Sequence, residues 1–266
     1  MQRDGSVQTK TVYSGAALNK PVWCYDFDKD GDIDLLLPYG YMPSVNGSYL
    51  VLLENKGNGK FSSQEYLFEK NIRFEDCIDF DSDGCMEVIG YENGGEYPVC
   101  FVRIKDGEVC KELEYVSGVS AAHNVPLLVA DIENNGFSSL VIDNMEITKI
   151  SDLANERPSQ PQKPTMIYET SSGMLKINWR PTVDKESSSA DLTYALRIGT
   201  APDKCDILYV HAHPDGTRKN MVGGNQGKSL FKILNVDSWA EGDYYISVQA
   251  IDPNNMGSEF SDYAIF

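Results

Sequence analysis

Histidine is scarce in this sequence, and the motifs of common enzyme classes are missing. Only three histidines occur among the 266 residues, so a Ser-His-Asp triad or a histidine-rich zinc site has little to be built from. His211 and His213 would share one face of a strand, but two ligands are too few for a specific metal site. The chain has no Gly-x-Ser-x-Gly, no His-Glu-x-x-His and no phosphate-cradling glycine loop. We therefore expect a protein that is not an enzyme.

Positive charge is also in short supply. Lys and Arg number 23 against 40 Asp and Glu, which gives a formal net charge of −17. That balance argues against a nucleic-acid backbone or an anionic membrane as partner. Part of the excess is concentrated, since nine carboxylates fall in the two short segments 26–34 and 79–87. Bound cations would partly neutralise them.

Long apolar runs and paired metal-type cysteines are absent. No stretch is long enough to cross a bilayer, and residues 1–20 lack the basic start and apolar run of a signal peptide, so we expect any export signal to precede Met1. The six cysteines form no Cys-x-x-Cys pair. Cys24 and Cys77 each lie two residues before an acidic segment, and we predict that both are free, buried thiols.

The first acidic segment reads Asp26-Phe27-Asp28-Lys29-Asp30-Gly31-Asp32-Ile33-Asp34. Acids at relative positions 1, 3, 5 and 9 place hard oxygens around one point, and the glycine at position 6 permits the tight reversal. An EF-hand would need a Glu at position 12 and flanking helices, but position 12 is Leu37 and the flanks alternate like short strands. We predict a calcium loop between two strands, with these ligands: Asp26, Asp28, Asp30, Asp34 and the backbone carbonyl of Asp32.

The same pattern returns twice. Asp26 and Asp79 are 53 residues apart, and Asp79 and Asp131 are 52 apart, so the chain contains an array of repeats. The second loop predicts a calcium site formed by Asp79, Asp81, Asp83, Glu87 and the carbonyl of Cys85. The third loop has Asp131, Glu133 and Asn135 but Ser139 at position 9, so calcium binding there is the weakest of the three predictions.

Each repeat reads as four antiparallel strands within about 50 residues, which is the size of a propeller blade. The chain begins halfway through a repeat, with an Asp-Gly turn and a strand within residues 3–13. Predicted strands lie at 22–27, 33–39, 49–54 and 60–68 in the first copy, at 74–80, 86–91, 98–105 and 108–116 in the second, and at 126–132, 138–143 and 146–150 in the third.

A second all-β region follows the repeats. Pro158, Pro161 and Pro164 mark a stiff linker over 158–164, since prolines at that density cannot continue a strand ladder. This divides the chain into 1–157, 158–164 and 165–266. Seven short strands with turn signals between them predict a β-sandwich; they lie at 165–169, 175–180, 192–199, 207–211, 229–234, 243–251 and 260–266.

Two resemblances emerge from these residues. The Asp-x-Asp-x-Asp-Gly-x-x-Asp loop, followed by a strand and by Asn55-Lys56-Gly57-Asn58-Gly59-Lys60-Phe61, resembles the FG-GAP or VCBS repeat of calcium-binding β-propellers over about residues 1–150. Trp179 before Pro181, together with Tyr244-Tyr245-Ile246-Ser247-Val248-Gln249-Ala250, resembles the core of a fibronectin type III domain, of the kind that follows FG-GAP propellers in secreted bacterial proteins.

These resemblances imply a calcium-braced protein, or part of one, that is secreted or at the cell surface and binds protein or glycan ligands. Family propellers usually have seven blades, and three repeats cannot close a ring. We therefore expect missing blades or another chain to complete the assembly. The alternative is an accessory C-terminal part of a secreted polysaccharide-degrading enzyme whose catalytic residues lie outside this chain. Within this chain, paired carboxylates for glycoside hydrolysis cannot be recognised from sequence alone.

Overall fold

The computed structural model describes residues 11–14, 22–43, 46–120, 125–133, 135–142, 145–147, 154–220 and 222–266. Within these ranges every regular element is a β-strand and the sheets are antiparallel, which confirms the all-β prediction. No helix in the same ranges is long and apolar enough to span a membrane. Most of the half repeat predicted over residues 3–13 lies outside the described residues.

The chain divides into two compact units, of which one contains Met1–Glu75 with Val88–Ser120 and the other Asp76–Glu87 with Ala121–Phe266. The sequence-based boundaries at 157 and 164 stay predictions.

The first sheet is a four-stranded meander, as predicted for the first repeat. Its order follows the chain, because each strand pairs with the next across a short connection. The central strands bury most of their side chains, and Leu37, Tyr39, Val51 and Leu53 form its core. The strands are β1 (Trp23–Tyr25), β2 (Asp34–Met42), β3 (Gly47–Asn55) and β4 (Phe61–Phe68).

The second sheet corrects one predicted strand. The strand expected over 108–116 is broken into two pieces that both pair with β7. Between the pairs Ile104↔Val109 and Phe101↔Glu114, three steps along β7 face five steps along the returning chain, so the surplus residues must leave the ladder. The strands are β5 (Ile72–Ile78), β6 (Met86–Glu92), β7 (Pro98–Lys105), β8 (Glu108–Val109) and β9 (Glu114–Ser120).

The third repeat forms a smaller sheet of three strands in chain order. The first two described strands fall within the predicted segments, and the third begins at Met145, one residue before the predicted 146–150. Residues 143 and 148–150 of the predicted segments lie outside the described residues. Alternate side chains of the central strand, such as Leu140 and Ile142, are fully buried. The strands are β10 (Leu127–Ala130), β11 (Ser139–Ile142) and β12 (Met145–Ile147).

The C-terminal region forms two three-stranded sheets, in the orders β13-β14-β16 and β15-β17-β18. The chain crosses between the two sheets, and their inner faces share one core, as in a β-sandwich. Leu175 and Ile177 of one sheet pack with Leu196 and Val248 of the other. The strands are β13 (Thr165–Glu169), β14 (Met174–Asn178), β15 (Thr193–Gly199), β16 (Phe231–Asn235), β17 (Tyr245–Ile251) and β18 (Ala264–Ile265).

The strand predicted at 207–211 does not form. Only one isolated bridge, Ile198↔Leu208, joins this segment to β15. Its neighbours Val210 and Ala212 instead pack with Ala195 and Ile251 in a second core cluster. The alternating apolar pattern that suggested a strand therefore serves to cover β15 and β17.

The last strand is shorter than the predicted 260–266. Ser258 and Ser261 place their hydroxyl oxygens where carbonyls would be, and these accept the N–H groups of Ala250 and Val248 at 3.0 Å each. Side chains thus replace backbone acceptors in this part of the ladder, and regular pairing is confined to Ala264–Ile265.

The cysteines are all free of disulfides. Cys77 is buried as predicted, and burial raises the pKa of its thiol. The prediction is wrong for Cys24, which is exposed. Its neighbour Trp23 takes the buried side of β1, so the alternation of a strand turns Cys24 to the opposite face.

Candidate metal centre

The first acidic loop lies between β1 and β2, as predicted. Its reversal uses two residues in the left-handed region, Lys29 at φ 61° and Gly31 at φ 95°. Both positions lie between the first and last acids of the loop. The chain therefore folds back on itself and brings Asp26 and Asp34 together at one end of the sheet.

Backbone donors orient the two terminal carboxylates of this loop. The Gly31 N–H donates to Asp26 Oδ2 at 3.1 Å. The N–H groups of Phe27 and Asn55 donate to Asp34 Oδ2 and Oδ1 at 3.0 and 2.7 Å. Asp26 is only 3% exposed and Asp34 only 1%, so both charged groups are held away from water by the fold itself.

Asp28 joins these two acids. One carboxylate oxygen from each of Asp26, Asp28 and Asp34 lies within 4.8 Å of the others. Oxygens bound at about 2.4 Å to one Ca²⁺ are at most about 4.8 Å apart. The spacing and the all-oxygen donor set therefore fit a hard divalent cation.

The Asp30 carboxylate is not among the three grouped acids. Asp30 Oδ1 accepts the N–H of Asp32 at 2.8 Å, which is a turn contact within the loop. Both residues are exposed. Ligation by Asp30 and by the Asp32 carbonyl stays a prediction.

A hairpin from the second repeat supports the first loop. Asp106 and Gly107, both at positive φ, form the turn between β7 and β8, and the Gly107 N–H donates to the Phe27 carbonyl at 2.9 Å. A Cβ on Gly107 would lie 2.8 Å from Asp28 Cβ. Gly107 thus permits the close approach that holds Asp28 in place, a role that the sequence signalled only as a turn.

The second loop repeats this construction. One oxygen from each of Asp79, Asp81 and Glu87 lies within 4.8 Å of the others. The Gly84 N–H donates to Asp79 Oδ2 at 2.9 Å, and the Phe80 N–H donates to Glu87 Oε2 at 3.2 Å. Asp79 and Glu87 are buried.

Asp83 and Cys85 stand at positions 5 and 7 of the second loop, as Asp30 and Asp32 do in the first loop. The Cys85 N–H donates to Asp83 Oδ1 at 2.8 Å, which matches the contact between Asp32 and Asp30. Asp83 is not among the three grouped acids. Ligation by Asp83 and by the Cys85 carbonyl stays a prediction.

Burial perturbs one acid in each loop. It raises the pKa of Asp34 to about 6, with the charges of Asp28 and Asp30 adding to the effect and the backbone donors opposing it. It likewise raises the pKa of Asp79 to about 7, with help from Asp83 and Asp81. A cation at either site would offset both the lost hydration and the mutual repulsion.

The third loop has the same backbone contacts but fewer charges. The N–H groups of Gly136 and Asn135 donate to the two oxygens of Asp131 at 2.8 and 3.0 Å. Asn135 Nδ2 donates to Glu133 Oε2 at 2.8 Å. An amide donor thus faces the acid at position 3, and Ser139 stands at position 9. Among the described residues, this loop brings no three acids together.

Sequence reasoning missed the role of Asn55. Its backbone N–H holds Asp34, and its side chain donates to the Ile33 carbonyl at 3.1 Å. The available signal was its place at the start of the Asn-x-Gly-x-Gly-x-Phe segment. Because 21 residues separate Asn55 from Asp34, only the pairing of β2 with β3 reveals the contact.

Comparisons with known proteins add little to this geometry. Neither protein-family models nor curated proteins match the chain. Among solved structures, the chain is similar to the FN1–FN3 domains of chicken CNTN1, with 10% identity, a TM-score of 0.31, and coverage of 82% of this chain and 77% of that one. It is also similar to domains A168–A170 of titin, with 12% identity, a TM-score of 0.26, and coverage of 84% and 76%. Both likenesses are too weak to bear on family or function.

Proposed function

We propose that the chain is a non-catalytic, calcium-braced binding or adhesion protein, or part of one, that acts at or beyond the cell surface. The observation that carries this proposal is the convergence of three carboxylates at the same positions of two loops one repeat apart. A solvated acidic turn has no need to bury its first and last acids and to aim backbone donors at them. A loop that binds Ca²⁺ needs its carboxylates preorganised in this way.

Calcium acts here as a brace. Each grouped set joins the end of one strand to the start of the next, so a bound ion would pin adjacent strands together. Because the folded chain would bind the ion and the unfolded chain would not, binding adds to the stability of the fold. We further propose that the sheets are blades of an incomplete FG-GAP or VCBS-type propeller, which missing blades or another chain completes.

The sandwich offers a surface for a protein partner. On the outer face of β13-β14-β16, Ile167, Met174, Phe231 and Ile233 are between 39% and 64% exposed. Strand pairing places Ile167, Lys176 and Ile233 side by side on that face. Several exposed apolar side chains on one face of a sheet are typical of interaction sites. We propose that this face, together with the loops of the repeat sheets, makes the contacts with protein or glycan ligands.

The test compares calcium with chelator on the full chain. We expect millimolar Ca²⁺ to raise the melting temperature relative to EDTA. The double variant Asp28→Asn/Asp81→Asn should lose most of that shift, since it removes one charge from each site but keeps the side-chain oxygens. Glu133→Gln in the third loop is the matched control and should keep the shift. An identical melting curve with calcium and with EDTA would sink the proposal.

The enzyme alternative is tested separately. We expect no turnover when the calcium-loaded chain is incubated with a panel of polysaccharides and reducing ends are measured. Release of sugar that disappears on substitution of one of its acids would contradict a non-catalytic role.

A further inference from the structure

Three segments of the C-terminal unit, around residues 155, 184–186 and 252–254, meet near Asp252. None of them belongs to an acidic loop. Asn155 Nδ2 donates to Asp252 Oδ2 at 2.6 Å in a buried contact. The backbone of Glu156 lies beside the carboxylate of Glu186, and Lys185 forms an ion pair with Glu156. The start of the segment before the prolines is thus fastened to two turns of the sandwich.

This junction contains buried oxygens that no donor reaches. Asn155 Oδ1, Asp184 Oδ1, Glu186 Oε2 and Asn254 Oδ1 are shielded from solvent and accept no hydrogen bond from the described part of the chain. Asn155 is 6% exposed and Asn254 4%. The Asn155 amide already contacts Asp252, so its oxygen lies within the cluster. Buried acceptors of this kind are costly and uncommon, and four in one junction call for a ligand.

The charges point to a cation. Asp184, Glu186 and Asp252 are all acidic, and the nearby cation Lys185 has a side chain that is 67% exposed and is paired with Glu156 and Glu186. The second oxygen of Asp184 is occupied by the N–H groups of Glu186 and Ser187 at 3.2 and 2.8 Å, which leaves Oδ1 as the oxygen for a ligand. Burial, with a contribution from the charge of Asp184, raises the pKa of Asp252 to about 8.

We propose that this junction binds one Ca²⁺ through the four unpartnered oxygens, which belong to Asn155, Asp184, Glu186 and Asn254. Every candidate donor is a carboxylate or amide oxygen, which is the set that Ca²⁺ selects and that thiolate- or imidazole-seeking metals do not. Among the described residues only the two acidic loops bring three acids within 4.8 Å, so amide oxygens supply part of the coordination here.

The site differs from the acidic loops in construction and consequence. A loop site is formed by nine consecutive residues, whereas this one joins three segments separated by up to 97 residues. Asn155 lies three residues before Pro158, where the proline-rich stretch begins, and its N–H donates to the Gly136 carbonyl at 2.6 Å. A bound ion would therefore fasten the chain on the N-terminal side of the prolines to the sandwich.

The experiment removes the loop sites first, so that the two proposals can fail separately. In full-length Asp28→Asn/Asp81→Asn, titration with CaCl₂ by isothermal calorimetry should still show one equivalent of binding. Adding Asp184→Asn should weaken calcium binding at least tenfold, because it removes a negative charge from the site. The amide keeps an oxygen that can still accept the Ser187 N–H, so the local turn should be preserved. Asn155→Ala is the second variant and should act in the same direction.

Asp206→Asn is the matched control, since Asp206 is an acid of the same unit whose carboxylate binds Thr200. It should leave the affinity unchanged. Far-ultraviolet circular dichroism of each variant establishes that it is folded. The proposal is overturned if the loop-disabled chain binds no calcium, or if its remaining site is unaffected by both Asp184→Asn and Asn155→Ala in folded protein.

Discussion

The third acidic loop folds like the first two but carries only two acids, Asp131 and Glu133, where the first carries five and the second four. In all three, the glycine at position 6 donates its N–H to the buried acid at position 1, and the residue at position 7 donates to the oxygen at position 5. The glycines have φ values of 95°, 82° and 87°. Yet three acids converge only in the first two loops, as far as the described residues show.

This difference separates two roles within one motif. The acid at position 1, the glycine at position 6 and an oxygen at position 5 suffice for the turn, since Asp131, Gly136 and Asn135 make it without the full set of charges. The third loop keeps an acid at position 3, Glu133, but has Asn135 at position 5 and Ser139 at position 9, so under the calcium proposal the acids at positions 5 and 9 are the ones that it lacks.

The largest expected effect comes from position 9. Asp34→Ala removes a carboxylate that two buried N–H groups require, together with a proposed calcium ligand. We expect a loss of about 3–5 kcal/mol in the free energy of unfolding by urea at saturating calcium. The equivalent change in the third loop, Ser139→Ala, should cost about 1 kcal/mol. Equal losses in the two loops would break the comparison.

A medium effect is expected from pH in calcium-free buffer. The folded chain keeps a proton on Asp79 up to about pH 7, whereas the unfolded chain releases it near the ordinary pKa of 3.8. Folding is therefore favoured below pH 4 and loses this contribution as the pH rises to about 7, by up to about 1.4 kcal/mol per pH unit for one proton.

Denaturant unfolding between pH 4 and 7 measures this slope. The same reasoning applies to Asp34 up to about pH 6. Asp79→Asn should flatten the profile, and saturating Ca²⁺ should remove the decline, because the ion replaces the proton. Stability that rises over this range in EDTA would contradict the assignment.

The smallest effect is a gain of function in the third loop. Asn135→Asp with Ser139→Asp restores the acids that this loop lacks on a backbone that already turns correctly. We expect lower stability in EDTA and recovery in calcium, with about 1.4 kcal/mol gained when Ca²⁺ is at ten times its dissociation constant. Thermal melts of the double variant against the single changes measure it. No calcium response would show that the common backbone geometry is not sufficient.

Local patterns predicted most of the strands, because alternation and turn residues act over a few positions. The failures have a common cause in tertiary packing. The segment 207–211 alternates like a strand but packs over the sheet of β15 and β17. The strand expected over 108–116 breaks because the returning chain has more residues than the stretch of β7 that it faces. Cys24 follows the alternation of β1 but faces solvent. Which face of a strand is buried depends on what packs against it, and alternation alone does not determine that.

The sequence by itself determined the repeat, the loop turns and the residues able to ligate calcium, because these depend on spacing, on glycine and on oxygen-bearing side chains within nine positions. Only the tertiary structure decided which acids converge, and it alone brought Asn55 to Asp34, Gly107 to Asp28 and Asn155 to Asp252. Those contacts join residues far apart in the chain, and strand pairing and packing set their distances, which no local pattern encodes.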